Sequence, residues 1–153
     1  ICGLPGVGKT HLAQAIGHHA CRMGHTVLFT KTAQLFRKLA AARADHTWEE
    51  KIREYVRVDL LILDDFAMRE LTAQQADDLY ELVSERTRTG RSMIITSNRN
   101  PPDWYPLFPN PVVAEPFLDR LINTSHQVFM NGPSYRPNKR PSAAIPQPTT
   151  KTK

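Results

Sequence analysis

Short apolar runs alternate along this chain with longer segments whose apolar residues recur every three to four positions. The clearest run is Asp59-Leu60-Leu61-Ile62-Leu63-Asp64-Asp65, continuously apolar and closed by two carboxylates. Such a run reads as a strand buried on both faces, as strands of parallel sheets are. Ser92-Met93-Ile94-Ile95-Thr96-Ser97 repeats the pattern, and residues 26–30, β-branched and aromatic, predict a further strand. Helical spacing fills the intervals. Residues 9–23 predict a helix stopped at Gly24; Thr32 begins a second with Leu35, Phe36 and Leu39 on one face; residues 44–58 predict a third with Trp48, Ile52, Tyr55 and Val56 inward. Thr72-Ala73-Gln74-Gln75 has the spacing of a capping box, in which the two side chains satisfy each other's backbone N–H groups, and Leu79, Leu82 and Val83 follow on one face before Gly90. Residues 112–122 predict a last helix and 127–130 a last short strand, with no internal repeat. The alternation predicts an α/β fold, a parallel sheet flanked by helices.

With 153 residues and 41% apolar content, the chain can fill one sizeable core. Its charge is uneven. Of 20 Lys/Arg and 15 Asp/Glu, all fifteen acids and fifteen of the bases fall in residues 1–130, so the net +5 comes from Arg136, Lys139, Arg140, Lys151 and Lys153. The sequence pI of 9.5 therefore says little about the body. Residues 132–153 are also rich in Pro, Ser and Thr, which predicts a disordered basic tail after a domain at 1–131. A tail of this kind either contacts nucleic-acid phosphates without reading sequence or only solubilises the chain. No run reaches the roughly 18 to 20 apolar residues of a membrane span, and no signal peptide is visible, which predicts a soluble cytoplasmic protein without a membrane partner. Cys2 and Cys21 form no paired framework and are expected as reduced, buried thiols. His18-His19 and His25 lie near Cys21, but only His18 and Cys21 could share a helix face, and two candidate ligands are too few for a metal site, so surface or packing roles are expected.

The chemistry is concentrated in Gly3-Leu4-Pro5-Gly6-Val7-Gly8-Lys9-Thr10, which reads G-x-x-x-x-G-K-T, a phosphate-cradling P-loop. Its glycines let successive N–H groups converge on phosphate oxygens where a Cβ would obstruct them. Lys9 adds a point charge for the β- and γ-phosphates. Thr10 offers its hydroxyl to Mg²⁺ at the first turn of a helix, and His11 follows it at the same helix start. The loop predicts bound ATP. A P-loop site also needs an acid on a strand, and Asp64-Asp65 supplies a Walker B arrangement. Asp64 is expected to help hold Mg²⁺ and Asp65 to orient or deprotonate water. The alternative for either is a cap on the following loop. Asn98, after the Ser92-to-Ser97 strand, could hold water at the γ-phosphate through its amide, or merely start the turn into Arg99-Asn100-Pro101-Pro102. Trp104 and Phe108 are expected as packing anchors rather than a base-stacking platform.

Taken in order, these motifs resemble those of AAA+ ATPases of the initiator and helicase-loader branch. With Leu118-Asp119-Arg120-Leu121 and Gly132-Pro133-Ser134-Tyr135-Arg136 added, residues 1–136 resemble the IstB family, ATPase helpers of insertion-sequence transposition. The resemblance implies a P-loop NTPase (AAA+) three-layer sandwich with the Asp64 strand beside the P-loop strand. It implies Asn98 as a sensor and Arg120 as an arginine finger that reaches a neighbouring subunit's nucleotide; the alternative for Arg120 is an intrahelical pair with Glu115 or Asp119. Implied partners are DNA, contacted mostly on its backbone, the transposase of the same insertion sequence, and further copies of the chain joined through the ATP site. Where most AAA+ proteins have Glu this chain has Asp65, whose shorter side chain must sit closer to water. DnaC-type helicase loaders share every motif here. A small-molecule kinase would use the same loop but needs an Arg-rich lid that the sequence lacks. Only Ile1-Cys2 precede the loop and the chain does not begin with Met, so the first strand is expected to be largely missing and the chain to be a fragment of a longer protein. A fragment with an empty nucleotide site that acts only through interactions is the non-enzymatic alternative.

Overall fold

The computed structural model describes residues 1–139. Strand β1 (Cys2–Gly3) leads through the glycine loop into helix α1 (Lys9–Arg22), followed by β2 (Val27–Lys31), α2 (Thr32–Ala44), α3 (Trp48–Arg57) and β3 (Leu60–Phe66). Then come α4 (Ala73–Arg88), β4 (Ser92–Ser97), a 3₁₀ turn at Pro101–Leu107, α5 (Pro111–Asn123), β5 (Phe129–Met130) and a 3₁₀ turn at Arg136–Lys139. The capping box expected at the start of α4 is formed, with the Thr72 side chain accepting from Gln75 N–H. No helix among the described residues is long and apolar enough to cross a membrane.

The five strands form one parallel sheet in the order β2-β3-β4-β1-β5. The apolar run of β3 divides its side chains between two layers, as strand alternation requires. Leu60 and Ile62 meet Ala13 of α1 on one face, while Leu61 and Leu63 enter the larger core with Leu35, Leu39, Tyr55 and Leu79 from α2, α3 and α4 on the other. This is the expected three-layer α/β sandwich. Gly17 lets α1 lie close to the sheet, since a Cβ there would come within 2.9 Å of Ile62 Cδ1.

Two expectations are corrected. The Asp64 strand does not lie beside the P-loop strand: β2 takes one edge of β3 and β4 the other, leaving no edge for β1, which pairs with β4 and β5. Short as it is, β1 is anchored on both sides, with Ile1 N donating to Ile95 O (2.8 Å) and Cys2 N to Val128 O (2.8 Å). Cys2 is buried as expected, but Cys21 is exposed because its side of α1 faces away from the sheet.

Trp104 and Phe108 are packing anchors. Trp104 stands edge-on to Phe66 (centroids 5.0 Å apart) and donates to Ser97 Oγ (3.3 Å), and Phe108 packs on Phe117. Past Gly132, where the sequence places the start of a tail, the described chain turns back onto the glycine loop, with Tyr135 N donating to Gly6 O (3.0 Å). The expectation of disorder over residues 140–153, with Arg140, Lys151 and Lys153, lies outside the described residues.

Candidate functional site

The loop from Gly3 to Lys9 carries backbone angles that side chains resist. Gly6 and Gly8 have φ of 86° and 102°, and Gly8 caps α1 in the left-handed conformation. A Cβ on Gly6 would also stand 2.0 Å from Ser134 Oγ, and one on Gly3 2.1 Å from Met130 O, so the later chain as well as the turn demands glycine. Leu4 and Pro5 are exposed at the top of the loop, Val7 is half-buried, and His11 is exposed one residue beyond Thr10. No acid occupies the first turn of α1. A left-handed glycine leading into a helix start of this kind forms an anion nest, reinforced by the positive end of the helix dipole.

Lys9 folds back over this loop. Its Nζ donates to Gly3 O (2.7 Å) and Leu4 O (2.9 Å). Burial pulls its ammonium below the ordinary lysine range, the nearby Asp65 charge opposing this and Arg136 adding to it. An ammonium whose hydrogen bonds go to neutral carbonyls, beside an anion nest, is suited to a polyanionic ligand.

Asp64 and Asp65 are adjacent in sequence and unlike in setting. The register of β3 against β4 shifts between Leu63 and Phe66, a bulge that turns consecutive side chains to different surroundings. Asp64 is 2% exposed, and its Oδ1 accepts from Thr10 Oγ1 (2.9 Å) and Thr96 Oγ1 (2.5 Å). The first bond reaches the acid across the sheet rather than between neighbouring strands, because α1 runs over β2, β3 and β4 and delivers Thr10 above the end of β3. Asp65 is exposed, with φ of 57°, a left-handed conformation rare outside glycine, asparagine and aspartate. It forms an ion pair with Lys31 at the end of β2 (3.4 Å), while its N–H donates to Thr96 Oγ1 (3.2 Å).

A hydroxyl and a carboxylate held together at the mouth of an anion nest are hard oxygen donors that fit Mg²⁺. Among the described residues no group of three or more His, Cys, Asp or Glu converges as a metal site. Mg²⁺ does not need one, since it binds through one or two carboxylates plus phosphate oxygens and water.

Asn98 is exposed just beyond β4, the strand between β3 and β1, which places it between the acids and the loop. Its side chain makes no hydrogen bond among the described residues; the turn after it is held instead by Ser97 Oγ, which accepts from Arg99 N (3.1 Å) and donates to Phe66 O (2.9 Å). Arg120 is not brought to its own loop. Its guanidinium donates to Ser84 Oγ (2.7 Å) and lies over the Tyr80 ring, both on α4, and it pairs with neither Glu115 nor Asp119. A mainly apolar cavity of about 540 Å³, lined by Ile1, Ile16, Ile94, Val128 and others, reaches Arg120 but none of Gly6, Lys9, Thr10 or Asp64.

Sequence reasoning missed Thr96, Lys31 and Ser134. Thr96 was hidden inside an apolar strand, although a threonine at a strand's carboxyl end beside Asp64 was a usable signal. Lys31 required the register that pairs it with Asp64. Ser134 lies in the Gly132-to-Arg136 motif, read only as a family signature.

The model of the IstB-like ATP binding protein family matches residues 1–143. An ATP-binding protein of an insertion sequence in Mycobacterium tuberculosis is 62% identical over 139 residues, 91% of this chain and 55% of that protein. The IS21 ATP-binding protein of Pseudomonas aeruginosa is 34% identical, over 95% of this chain and 54% of its own length. The chain thus spans about half the length of these curated relatives. Among solved structures, the DnaC helicase loader superposes with a TM-score of 0.75 at 22% identity, covering 85% of this chain and 76% of that one. AMPPCP-bound DnaA from Aquifex aeolicus gives 0.74 at 23% identity, covering 85% and 38%. At such identities the likeness is one of fold.

Proposed function

The chain belongs to the IstB-like ATP-binding family, and from that premise we propose that it hydrolyses ATP with Mg²⁺, assembles on DNA and delivers target DNA to the transposase of its insertion sequence. The observation that carries the nucleotide part is the Thr10 Oγ1 to Asp64 Oδ1 hydrogen bond, which joins the glycine loop to the acidic strand across β4.

Each residue has a task in this reading. The loop from Gly3 to Thr10 and the helix start at His11 wrap the phosphate tail with backbone N–H groups. Lys9 exchanges its two carbonyl partners for phosphate oxygens, a stronger charge-assisted contact. Thr10 and Asp64 would hold Mg²⁺, which neutralises charge on the β- and γ-phosphates. Asp65 is the exposed carboxylate that orients water or takes its proton, and Asn98 holds the same water by hydrogen bonding. Arg120 of a second copy supplies the remaining positive charge.

DNA and transposase come to this reading from the insertion-sequence relatives. A helicase-loader role has fold likeness to DnaC behind it, whereas the insertion-sequence role has sequence identity. The test is ATP turnover by the purified chain with and without duplex DNA, beside Lys9→Ala and Arg120→Ala. Turnover is expected to rise with DNA and with protein concentration and to fall by about 100-fold in each variant. Unaltered ATP affinity in Lys9→Ala would sink the loop assignment. Capture of a replicative helicase in place of the transposase would move the chain to the loader role.

A further inference from the structure

The register of β3 against β4 pairs Leu63 with Ile95 and then Phe66 with Ser97, so two residues, Asp64 and Asp65, stand opposite the single Thr96. A bulge of this form leaves its extra residue outside the ladder and re-aims the side chains beside it. The Thr96 hydroxyl takes up what the ladder leaves. Its oxygen accepts from Asp65 N (3.2 Å), and its one proton goes to Asp64 Oδ1 (2.5 Å). Thr96 is 1% exposed, so little solvent competes for either bond. The segment it holds is strained. Asp65 and Ala67 have left-handed backbones, φ 57° and 60°, on either side of Phe66. Outside glycine such a conformation persists only where the surroundings enforce it. Beyond Asp65 they do, since Phe66 is fully buried against Trp104 and its carbonyl accepts from Ser97 Oγ (2.9 Å). At Asp65 itself the carboxylate pairs with Lys31, whose exposed side chain is a weak tether, and the buried bond is the one from its N–H to Thr96.

We propose that Thr96 is a positioning residue for ATP hydrolysis, its hydroxyl holding the Asp65 backbone in the turned conformation that sends this carboxylate outward to the attacking water while Asp64 stays beside Thr10. The proposal rests on the hydrolytic reading above, with Asp65 as the group that handles water. Thr96 acts through Asp65 and touches neither phosphate nor metal. A hydroxyl suits the place because it accepts and donates at once, which the bulge requires of a single atom. Without it the Asp65 N–H is unpaired and the strained turn is released toward ordinary strand geometry, in which side chains alternate between the two faces of the sheet. A carboxylate displaced by about 1 Å is enough to slow the reaction strongly. The phosphate contacts of the glycine loop and Lys9 lie on β1 and α1 and do not depend on this turn.

The experiment compares wild type, Thr96→Val, Thr96→Ser, Asp65→Asn and the double variant Thr96→Val with Asp65→Asn in the full chain with Mg²⁺. Mant-ATP titration gives affinity, single-turnover phosphate release gives the chemical step, and ligand-free unfolding gives stability. In Thr96→Val the single-turnover rate is expected to fall about 10- to 100-fold while mant-ATP affinity stays within about threefold of wild type. Thr96→Ser keeps the donor and the acceptor and should stay within about threefold on both measures. In the Asp65→Asn background, Thr96→Val should cost less than about threefold more, because nothing is left to position. A merely structural role gives another pattern: valine, which keeps the shape, is tolerated better than serine, which leaves a gap, and any loss is the same in both backgrounds. That pattern would overturn the proposal and leave the hydrolytic reading standing, as would a Thr96→Val rate within about twofold of wild type beside an Asp65→Asn slowed about 100-fold. Where Thr96→Val fails to bind mant-ATP, Thr96→Cys, a weak donor and acceptor, is read in its place by the same criteria. A wild type that binds mant-ATP but releases no phosphate, or an Asp65→Asn that hydrolyses at the full rate, would overturn both.

Discussion

Asp64 and Asp65 show how far a single position can be read from sequence. The apolar run and its terminal acids announced both, but not that one would be sealed and the other open. The bulge between β3 and β4 makes that division, and it depends on how two strands distant in sequence slip past each other. The difference assigns opposite consequences to the same chemical change. Asp64→Asn would put an amide where Oδ1 accepts two hydroxyls, in a nearly closed environment. Asp65→Asn would lie at the surface, and asparagine tolerates the left-handed backbone at φ 57° as well as aspartate does. Asp65→Asn should therefore fold with an unfolding free energy within about 0.5 kcal/mol of wild type. If Asp65 accepts the proton of the attacking water, turnover should still fall by about 100-fold or more while ATP affinity stays within twofold. Steady-state turnover beside nucleotide titration separates the two, and full turnover in Asp65→Asn would remove this carboxylate from the chemistry.

Among the elements, α4 was legible in its cap and apolar stripe and illegible in its most demanding side chain. Arg86 lies on the stripe of Leu79, Leu82 and Val83, four residues beyond Leu82, and is 1% exposed. Its guanidinium donates to the carbonyls of Tyr55 (2.7 Å), Val56 (3.2 Å), Val58 (3.0 Å) and Asp59 (3.3 Å), and also to Ser92 O. One side chain thus satisfies the open carbonyls at the end of α3 and ties them to the starts of β3 and β4. Burial brings its pKa down to about 10, so it remains charged at neutral pH. From sequence it reads as a basic residue near a helix end, complementing the dipole, because nothing local reveals where those carbonyls converge. Arg86→Ala would leave several of them buried and unpaired, each costing about 1 to 3 kcal/mol. The variant is expected to lose at least about 3 kcal/mol in urea unfolding, and Arg86→Lys to recover only part of it, since an ammonium lacks the planar fork. A loss below about 1 kcal/mol would mean that water reaches those carbonyls when the arginine is gone. Strand order was out of reach for a related reason. Periodicity identified β3 and β4, but not that their pairing would fill the edge of β3 and displace β1 by one strand.

For the whole molecule, the placement of Arg120 decides whether one copy can be a complete enzyme. In its own chain the guanidinium lies against Ser84 and Tyr80 on α4 and makes no contact with the glycine loop. If it acts on nucleotide at all, it acts on a neighbour's. The contacting surfaces then differ, a loop face meeting a finger face, and the contact is head-to-tail, of the kind that produces rings or open filaments. This was partly legible: the resemblance implied a finger, and the fold adds that the Arg120 guanidinium rests on α4, away from the chain's own loop. The arrangement predicts a complementation that neither variant shows alone. Lys9→Ala cannot use its loop but keeps its finger; Arg120→Ala keeps its loop but offers no finger. In an equal mixture, random pairing places an intact loop against an intact finger at about one contact in four. ATP turnover of the mixture should then approach about a quarter of the wild-type value at the same total concentration, from two preparations that are each nearly inactive. Dilution should abolish the recovered activity more steeply than it lowers nucleotide binding, because turnover needs the contact between copies and binding does not. A mixture no more active than the sum of its parts, with both variants folded and Arg120→Ala still binding ATP, would place Arg120 outside the reaction and leave it as the clamp between α4 and α5 that its contacts already describe.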